Sequence, residues 1–99
     1  MARYDVYASP EGHGWLLDVQ ADILLGLKTR VVVPLLPVDE APVGAARLNP
    51  IFMVEDMNVS MVTQFLAAVP SALLREPVAH LSGHHRQIID ALDMLFLGF

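Results

Sequence analysis

This chain carries more apolar side chains than the core of so small a protein can enclose. Hydrophobic residues make up 55% of its 99 residues, whereas charged residues make up 17%. That composition excludes intrinsic disorder, which requires low hydrophobicity and high net charge. A domain of this length buries only about 60–65% of the surface of its unfolded chain. We therefore expect an exposed apolar patch and, with it, an oligomer or a partner-binding protein.

Charge and cysteine content narrow the possible functions. The net charge is −5, and the six basic residues are scattered along the chain, so no basic cluster can neutralise the phosphates of a nucleic acid. Direct nucleic-acid binding is therefore not expected. Because cysteine is absent, disulfides and thiolate chemistry are excluded, and we expect a cytoplasmic protein. The longest uncharged stretch is too polar for a membrane span, and we expect no membrane partner.

Short β-type segments separated by turn residues predict a mainly antiparallel sheet. Residues 2–8 and Trp15–Val19 flank a Pro-Glu-Gly-His-Gly turn and predict a hairpin. Residues 30–36 predict a buried strand in which Pro34 indicates an edge or a bulge. Further strands are predicted at Ile51–Val54, Val59–Val62 and Phe65–Val69, with a helical turn or loop at residues 20–28 and a long irregular segment at residues 37–47.

The C-terminal segment predicts an amphipathic helix for which Ser82 is a candidate N-cap. Its predicted core face lies within a sector about 120° wide and consists of Ile88, Ile89, Leu92, Leu95, Phe96 and Phe99. The opposite face combines Arg86, Asp90 and Asp93 with Met94 and Leu97. These last two predict an exposed apolar spot, either as scattered surface residues or as a contact with a partner. One helix after about five strands gives the α+β class.

Residues suited to catalysis or metal binding form no recognisable constellation. His80 and His84 are four residues apart, but Ser82-Gly83 interrupts any helix between them, so the spacing predicts no zinc site. No serine stands in a nucleophile motif, and the adjacent acids at residues 39–40 and 55–56 lie in predicted turns. We therefore expect a protein that is not an enzyme and that needs no metal or cofactor.

Five segments resemble the CcdB toxin family in order and spacing, over essentially the whole chain. Tyr4–Tyr7 fits its first strand, and Asp18–Leu24 fits its D-V-Q-[SA]-D-I-[IL] run. Arg30–Leu35 resembles the strand that follows there. Val78–Ser82 fits the segment V-A-D-L-S, and Leu95–Phe99 fits the hydrophobic-F-W-G-I ending.

The resemblance implies one CcdB-like domain over residues 1–99, an SH3-like, partly open antiparallel barrel with one C-terminal α-helix. It implies a homodimer with the helix ends near the two-fold axis. It also implies the toxin of a plasmid or chromosomal toxin–antitoxin pair. Such a toxin binds the A subunit of DNA gyrase and traps the complex in which DNA is cleaved. A CcdA-type antitoxin neutralises such a toxin, and the pair represses its own operon, so DNA is reached only through gyrase or antitoxin. The implied gyrase contact consists of Ile23, Leu24, Asp93, Phe96, Leu97, Gly98 and Phe99.

The chain departs from the family pattern at three informative positions. Leu97 replaces the tryptophan that stacks on an arginine of gyrase, Asp93 replaces an asparagine, and His80 replaces an acid. Leucine has no π face, and such stacking contributes about 0.5–2 kcal/mol. The alternative is therefore a non-poisoning module of the same fold that binds antitoxin but has lost or changed its target. A related fold also serves RNA-cleaving toxins, a third possibility that the few basic residues disfavour.

Overall fold

In the computed structural model, which describes residues 2–99, a curled antiparallel half-barrel carries one helix at its C-terminal end. Its strands are β1 (Asp5–Ala8), β2 (Trp15–Asp18), β3 (Thr29–Pro37), β4 (Ile51–Val54), β5 (Met57–Met61), β6 (Ala67–Pro70) and β7 (Pro77–His80), and the helix is α1 (His85–Leu97). The spatial order is β4-β5-β3-β2-β1-β7, with β6 paired to β3. This arrangement confirms the α+β, SH3-like fold class.

Strand β3 is central because it pairs with three other strands. Strand β2 lies along one side, whereas the other side pairs first with β6 through residues 29–32 and then with β5 through residues 35–37. Pro34 lies between these two pairings, and its carbonyl accepts a hydrogen bond from the Val62 N–H at 2.9 Å. The amide and carbonyl of one strand residue point to the same side. The donor that proline lacks therefore falls where β6 gives way to β5. Of the predicted edge or bulge, the edge is wrong, and Pro34 instead lies where the pairing of β3 is interrupted inside the sheet.

Alternation of side chains along the strands produces apolar contacts on both faces of the sheet. The principal core includes Leu17, Val33, Leu35, Phe52, Val59, Met61, Ile88 and Ala91. Val32 points to the opposite face, where it packs in a smaller cluster with Tyr7 and Leu74. Trp15 is partly buried against the principal core, and its indole N–H donates to Glu55 Oε1 at 2.9 Å. Because apolar side chains pack on both faces of the sheet, this thin structure buries many of the apolar residues.

Several predicted strand boundaries need correction. The first strand begins at Asp5 rather than at residue 2, because Tyr4 has a φ of 74° and turns the chain. The turn between β4 and β5 contains two residues rather than four. These are Glu55 and Asp56, which both have positive φ, as a type I′ turn requires. Strand β5 therefore starts at Met57, and a short turn over Thr63–Phe65 delays β6.

The helix begins three residues after its predicted cap. Ser82–His84 form a 3₁₀ turn, and no side-chain hydrogen bond caps either this turn or the helix. Burial decreases toward the C-terminal end, since Ile88 and Ala91 are the fully enclosed positions. Phe96 and Phe99, which the periodicity assigns to the core face, are 67% and 72% exposed. The sequence period is right, but it cannot show how far the sheet extends beneath the helix.

The two tyrosines are expected to stay protonated until the fold opens. Burial raises the pKa of Tyr4 and Tyr7 above the ordinary value of about 10. The Arg3 cation opposes this rise at Tyr4, whereas the carboxylates of Asp5 and Asp18 add to it at Tyr7. Because the folded state holds these protons more tightly, their contribution to stability is complete below the unfolded pKa. It is lost as the pH rises through the raised values.

An alkaline titration followed by phenolate absorbance and circular dichroism checks this expectation. Both signals should change together, because the two tyrosines ionise when the chain unfolds. The double variant Tyr4→Phe/Tyr7→Phe should keep its secondary structure to a higher pH than the natural chain does. The comparison corrects for the difference between their stabilities at neutral pH. Phenolate that forms near the unperturbed pKa with intact secondary structure would contradict the argument.

Candidate functional site

A buried ion pair fixes the segment from which the first candidate contact residues project. Arg30, at the start of β3, donates through Nε and Nη2 to the two carboxylate oxygens of Asp18 at 2.8 and 2.9 Å. Both residues are fully buried. Burial raises the pKa of the Asp18 carboxyl, while hydrogen bonds from Arg30 and from the Gln20 N–H oppose that rise. We interpret the pair as a device that specifies geometry more than one that adds stability, since desolvation offsets its attraction.

Gln20 closes the loop between β2 and β3. Its Oε1 accepts a hydrogen bond from the Val31 N–H at 3.0 Å, and its Nε2 donates to the Leu24 carbonyl at 3.4 Å. Asp22 Oδ1 accepts a hydrogen bond from the Arg3 N–H at 2.7 Å. These bonds hold a 3₁₀ turn over Asp22–Leu24. The polar residues of the D-V-Q-A-D run therefore shape the loop, and the apolar residues that follow Asp22 are left free to point outward.

The loop between β2 and β3 presents a row of apolar side chains to solvent. Ile23 is 91% exposed, and Leu24, Leu25 and Leu27 are also exposed. Ile23 and Leu24 were singled out by the sequence, whereas Leu25 and Leu27 were not. The signal for these two was the nearly unbroken apolar run itself, in a segment too short to form a helix. Such a contiguous exposed patch is typical of a surface that another protein covers.

The end of α1 presents a second apolar group. Asp93, Phe96 and Leu97 are three and four residues apart and so share one side of the helix, and Leu97 is 60% exposed. Gly98 has a φ of 80°, and its N–H bonds to the Met94 carbonyl at 3.1 Å, which ends the helix in a left-handed cap. Met94 itself is half-buried. The predicted exposed spot of Met94 and Leu97 is therefore corrected to Phe96, Leu97 and Phe99.

The shape of these two apolar groups favours a protein over a small molecule as the partner. They lie on separate elements, and none of their residues lines the three grooves of about 430, 460 and 480 Å³ on the described residues. Small molecules bind in concave pockets that enclose most of the ligand. Exposed apolar side chains on a turn and on a helix end instead suit the surface of another protein. The fold and the site together define a protein-binding protein.

Each of the four histidines contacts another side chain. The pairs are His13 with Glu40, His80 with Asp5, His84 with Gln87 and His85 with Tyr4. His80 ends β7 and lies opposite Asp5 of β1, with Nδ1 to Oδ1 at 2.7 Å, so the replacement of the family's acid creates a cross-strand pair here. Across residues 2–99, no group of three or more metal-ligating side chains converges. Within the same residues, no helix is long and apolar enough to cross a membrane.

A family model described as CcdB protein matches residues 3–98. The chain therefore belongs to the CcdB family. Membership of this family supports a role as the toxin of a toxin–antitoxin system, with an antitoxin as a partner in general terms. The match also agrees with the fold, and it includes both exposed apolar groups except Phe99.

Removing the charge of Asp18 should lower the free energy of unfolding far more than removing the whole ion pair. Asp18→Asn leaves the buried Arg30 guanidinium uncompensated and should lower the free energy of unfolding by about 3–5 kcal/mol. The double variant Asp18→Leu/Arg30→Met should lose much less than the sum of its single variants, because no buried charge remains. Urea unfolding of Asp18→Leu, Arg30→Met and the double variant measures this coupling. Asp39→Asn, at an exposed position, is the control, and additive losses would contradict the interpretation.

Gly98→Ala should weaken the helix end without disturbing the sheet. A side chain at a φ of 80° costs about 1–2 kcal/mol, although a Cβ at Gly98 would meet no other atom. We expect the last helical turn to fray and Phe99 to change direction. Amide exchange of residues 94–98 should quicken while that of β3 stays unchanged. Gly26→Ala, in open space without a positive φ, provides the control.

Proposed function

We propose that the protein is a toxin that binds the A subunit of DNA gyrase, trapping the complex in which DNA is cleaved. It acts as a homodimer, and a CcdA-type antitoxin neutralises it and joins it in repressing their operon. The contact is formed by Ile23, Leu24, Asp93, Phe96, Leu97, Gly98 and Phe99. The target is a cytoplasmic enzyme, so the proposal requires a cytoplasmic toxin.

The exposed apolar end of α1 is the observation that carries this proposal. In a helix that packs on a sheet, apolar side chains normally turn toward the core, yet Phe96, Leu97 and Phe99 all face solvent. They occupy the positions of the family's contact residues. Gly98 supports the same reading, because its left-handed backbone sets the direction in which Phe99 leaves the helix.

Asp93 gives the helix end an electrostatic preference. The last turn of α1 contains no basic residue, and the carbonyl end of a helix carries a partial negative charge. A carboxylate near that end is unfavourable by about 0.3–1 kcal/mol in isolation. A cationic side chain of the target beside Asp93 would remove this penalty. The replacement of asparagine by Asp93 therefore favours a target surface that presents a basic residue.

A cleavage-trapping assay tests the proposal directly. The purified protein is incubated with gyrase from its own host, ATP and supercoiled plasmid, and linear DNA is measured after detergent and protease. We expect linear DNA with the natural chain. Leu97→Lys should abolish it, because its positive charge would face the arginine on which the family's tryptophan stacks. Val78→Lys, at an exposed apolar position on β7, is the matched control and should leave trapping intact.

Leu97→Trp separates the proposal from its alternative, a non-poisoning module that has lost its target. If gyrase accepts Leu97, the natural chain traps cleaved DNA, and tryptophan changes the affinity by about two- to thirtyfold, as cation–π stacking allows. If the target has been lost, the natural chain is inactive although folded, and Leu97→Trp restores trapping and growth arrest. Cleavage of RNA by the pure protein would contradict both readings.

A further inference from the structure

Strand β4 is an unprotected edge of the sheet. Within the described residues, β4, β6 and β7 each pair on one side only. Proteins usually protect such edges with proline or charge, and β6 contains Pro70 while β7 contains Pro77 and His80. Strand β4 has the sequence Ile-Phe-Met-Val, with neither proline nor charge. An edge left in this form is ready to pair with another strand.

The hydrogen-bonding groups on this edge can be assigned from the hairpin. A two-residue turn makes Val54 and Met57 the closing hydrogen-bonded pair, and bonded pairs then alternate along the ladder. The N–H and C=O groups of Phe52 and Val54 therefore point to β5. Those of Ile51 and Met53 point outward. This edge thus offers two donors and two acceptors at the spacing that an added strand requires.

The side chains beside the edge provide an apolar recognition surface. Ile51 and Met53 point to the same solvent-facing side of β4, since Phe52 and Val54 are buried on the other. Ile51 also forms part of a groove of about 430 Å³ whose wall includes Val38 and Val43. The groove also includes Ser60 of β5, which pairs with Ile51, so it lies over the face of β4 and β5 beside the free edge. Backbone pairing with pockets for alternate side chains is how extended peptides are recognised by sheet edges.

Charge indicates the kind of peptide that fits. The turn at the end of β4 carries Glu55 and Asp56, both exposed, and the indole N–H of Trp15 holds Glu55 in place. The whole chain has a net charge of −5, which also attracts a basic partner. We propose that the β4 edge binds an extended, basic peptide segment of a partner protein as an added strand. Its alternate apolar side chains lie over Ile51 and Met53, and a lysine or arginine lies beside the turn. This surface is separate from the helix end and does not depend on gyrase binding.

The test uses the full chain and a synthetic peptide that alternates valine and threonine between terminal lysines. Binding is measured by fluorescence anisotropy, and backbone pairing is measured by amide exchange. We expect the amides of Ile51 and Met53 to exchange slowly only when the peptide is present. Met53→Lys places a like charge on the exposed face and should weaken binding about tenfold or more. Val78→Lys, on the β7 edge, should change it less than about twofold, because it adds the same charge elsewhere.

Three outcomes would overturn the proposal. The first is absence of peptide binding, or equal binding of a peptide whose lysines are replaced by glutamates. The second is equal weakening by Met53→Lys and Val78→Lys, which would indicate general charge attraction. The third is concentration-dependent self-association that Met53→Lys removes, which would make a second copy of this chain the occupant of the edge.

Discussion

The buried pair of Asp18 and Arg30 is the interaction on which the rest of the structure depends. It joins the end of β2 to the start of β3, the point from which β3 reaches three other strands. Leaving either charge alone in the core would be costly, so the two strands are held to one register. The Gln20 side chain then closes the loop against β3 and Leu24. Polar chemistry inside the protein thus determines which apolar residues remain outside.

The apolar residues at two places on the surface remain exposed because the core is small and is filled by other residues. The half-barrel is thin, and its core is filled by alternate residues of short strands and by Ile88 and Ala91 of the helix. The apolar residues of the 22–27 loop are excluded because Gln20 and Asp22 anchor that loop from the inner side. Those at the end of α1 are excluded because burial of the helix decreases beyond its first half. The exposure of the apolar residues in the loop and at the end of α1 therefore results from the fold, and a partner protein can cover these residues.

Much of the fold was predictable from local pattern, whereas the details that depend on tertiary contacts were not. The positions of β2, β4 and the helix followed from alternation and helical periodicity, and family resemblance supplied the barrel. Pro34 misled the prediction because one sequence cannot show that β3 changes partner at that residue. Phe96 and Phe99 were assigned to the core because periodicity gives a face but not the extent of the sheet under it. The pairing of Asp18 with Arg30 was missed, although an arginine beside three valines was a signal for a buried counter-ion.

The binding energy available at one helix end favours a toxin that binds its target through two copies of this surface. Fully burying Phe96, Leu97 and Phe99 contributes about 1.5–3 kcal/mol for each side chain. Association of two proteins costs about 4–15 kcal/mol before any surplus appears. One helix end with leucine in place of tryptophan therefore leaves little net affinity, even with Asp93 paired to a cation. The proposed homodimer would bring a second helix end to a symmetric target at high effective concentration, which multiplies the affinity of a single helix end. If the protein acts as the proposed homodimer, dimerisation therefore matters more for target binding than any single contact residue.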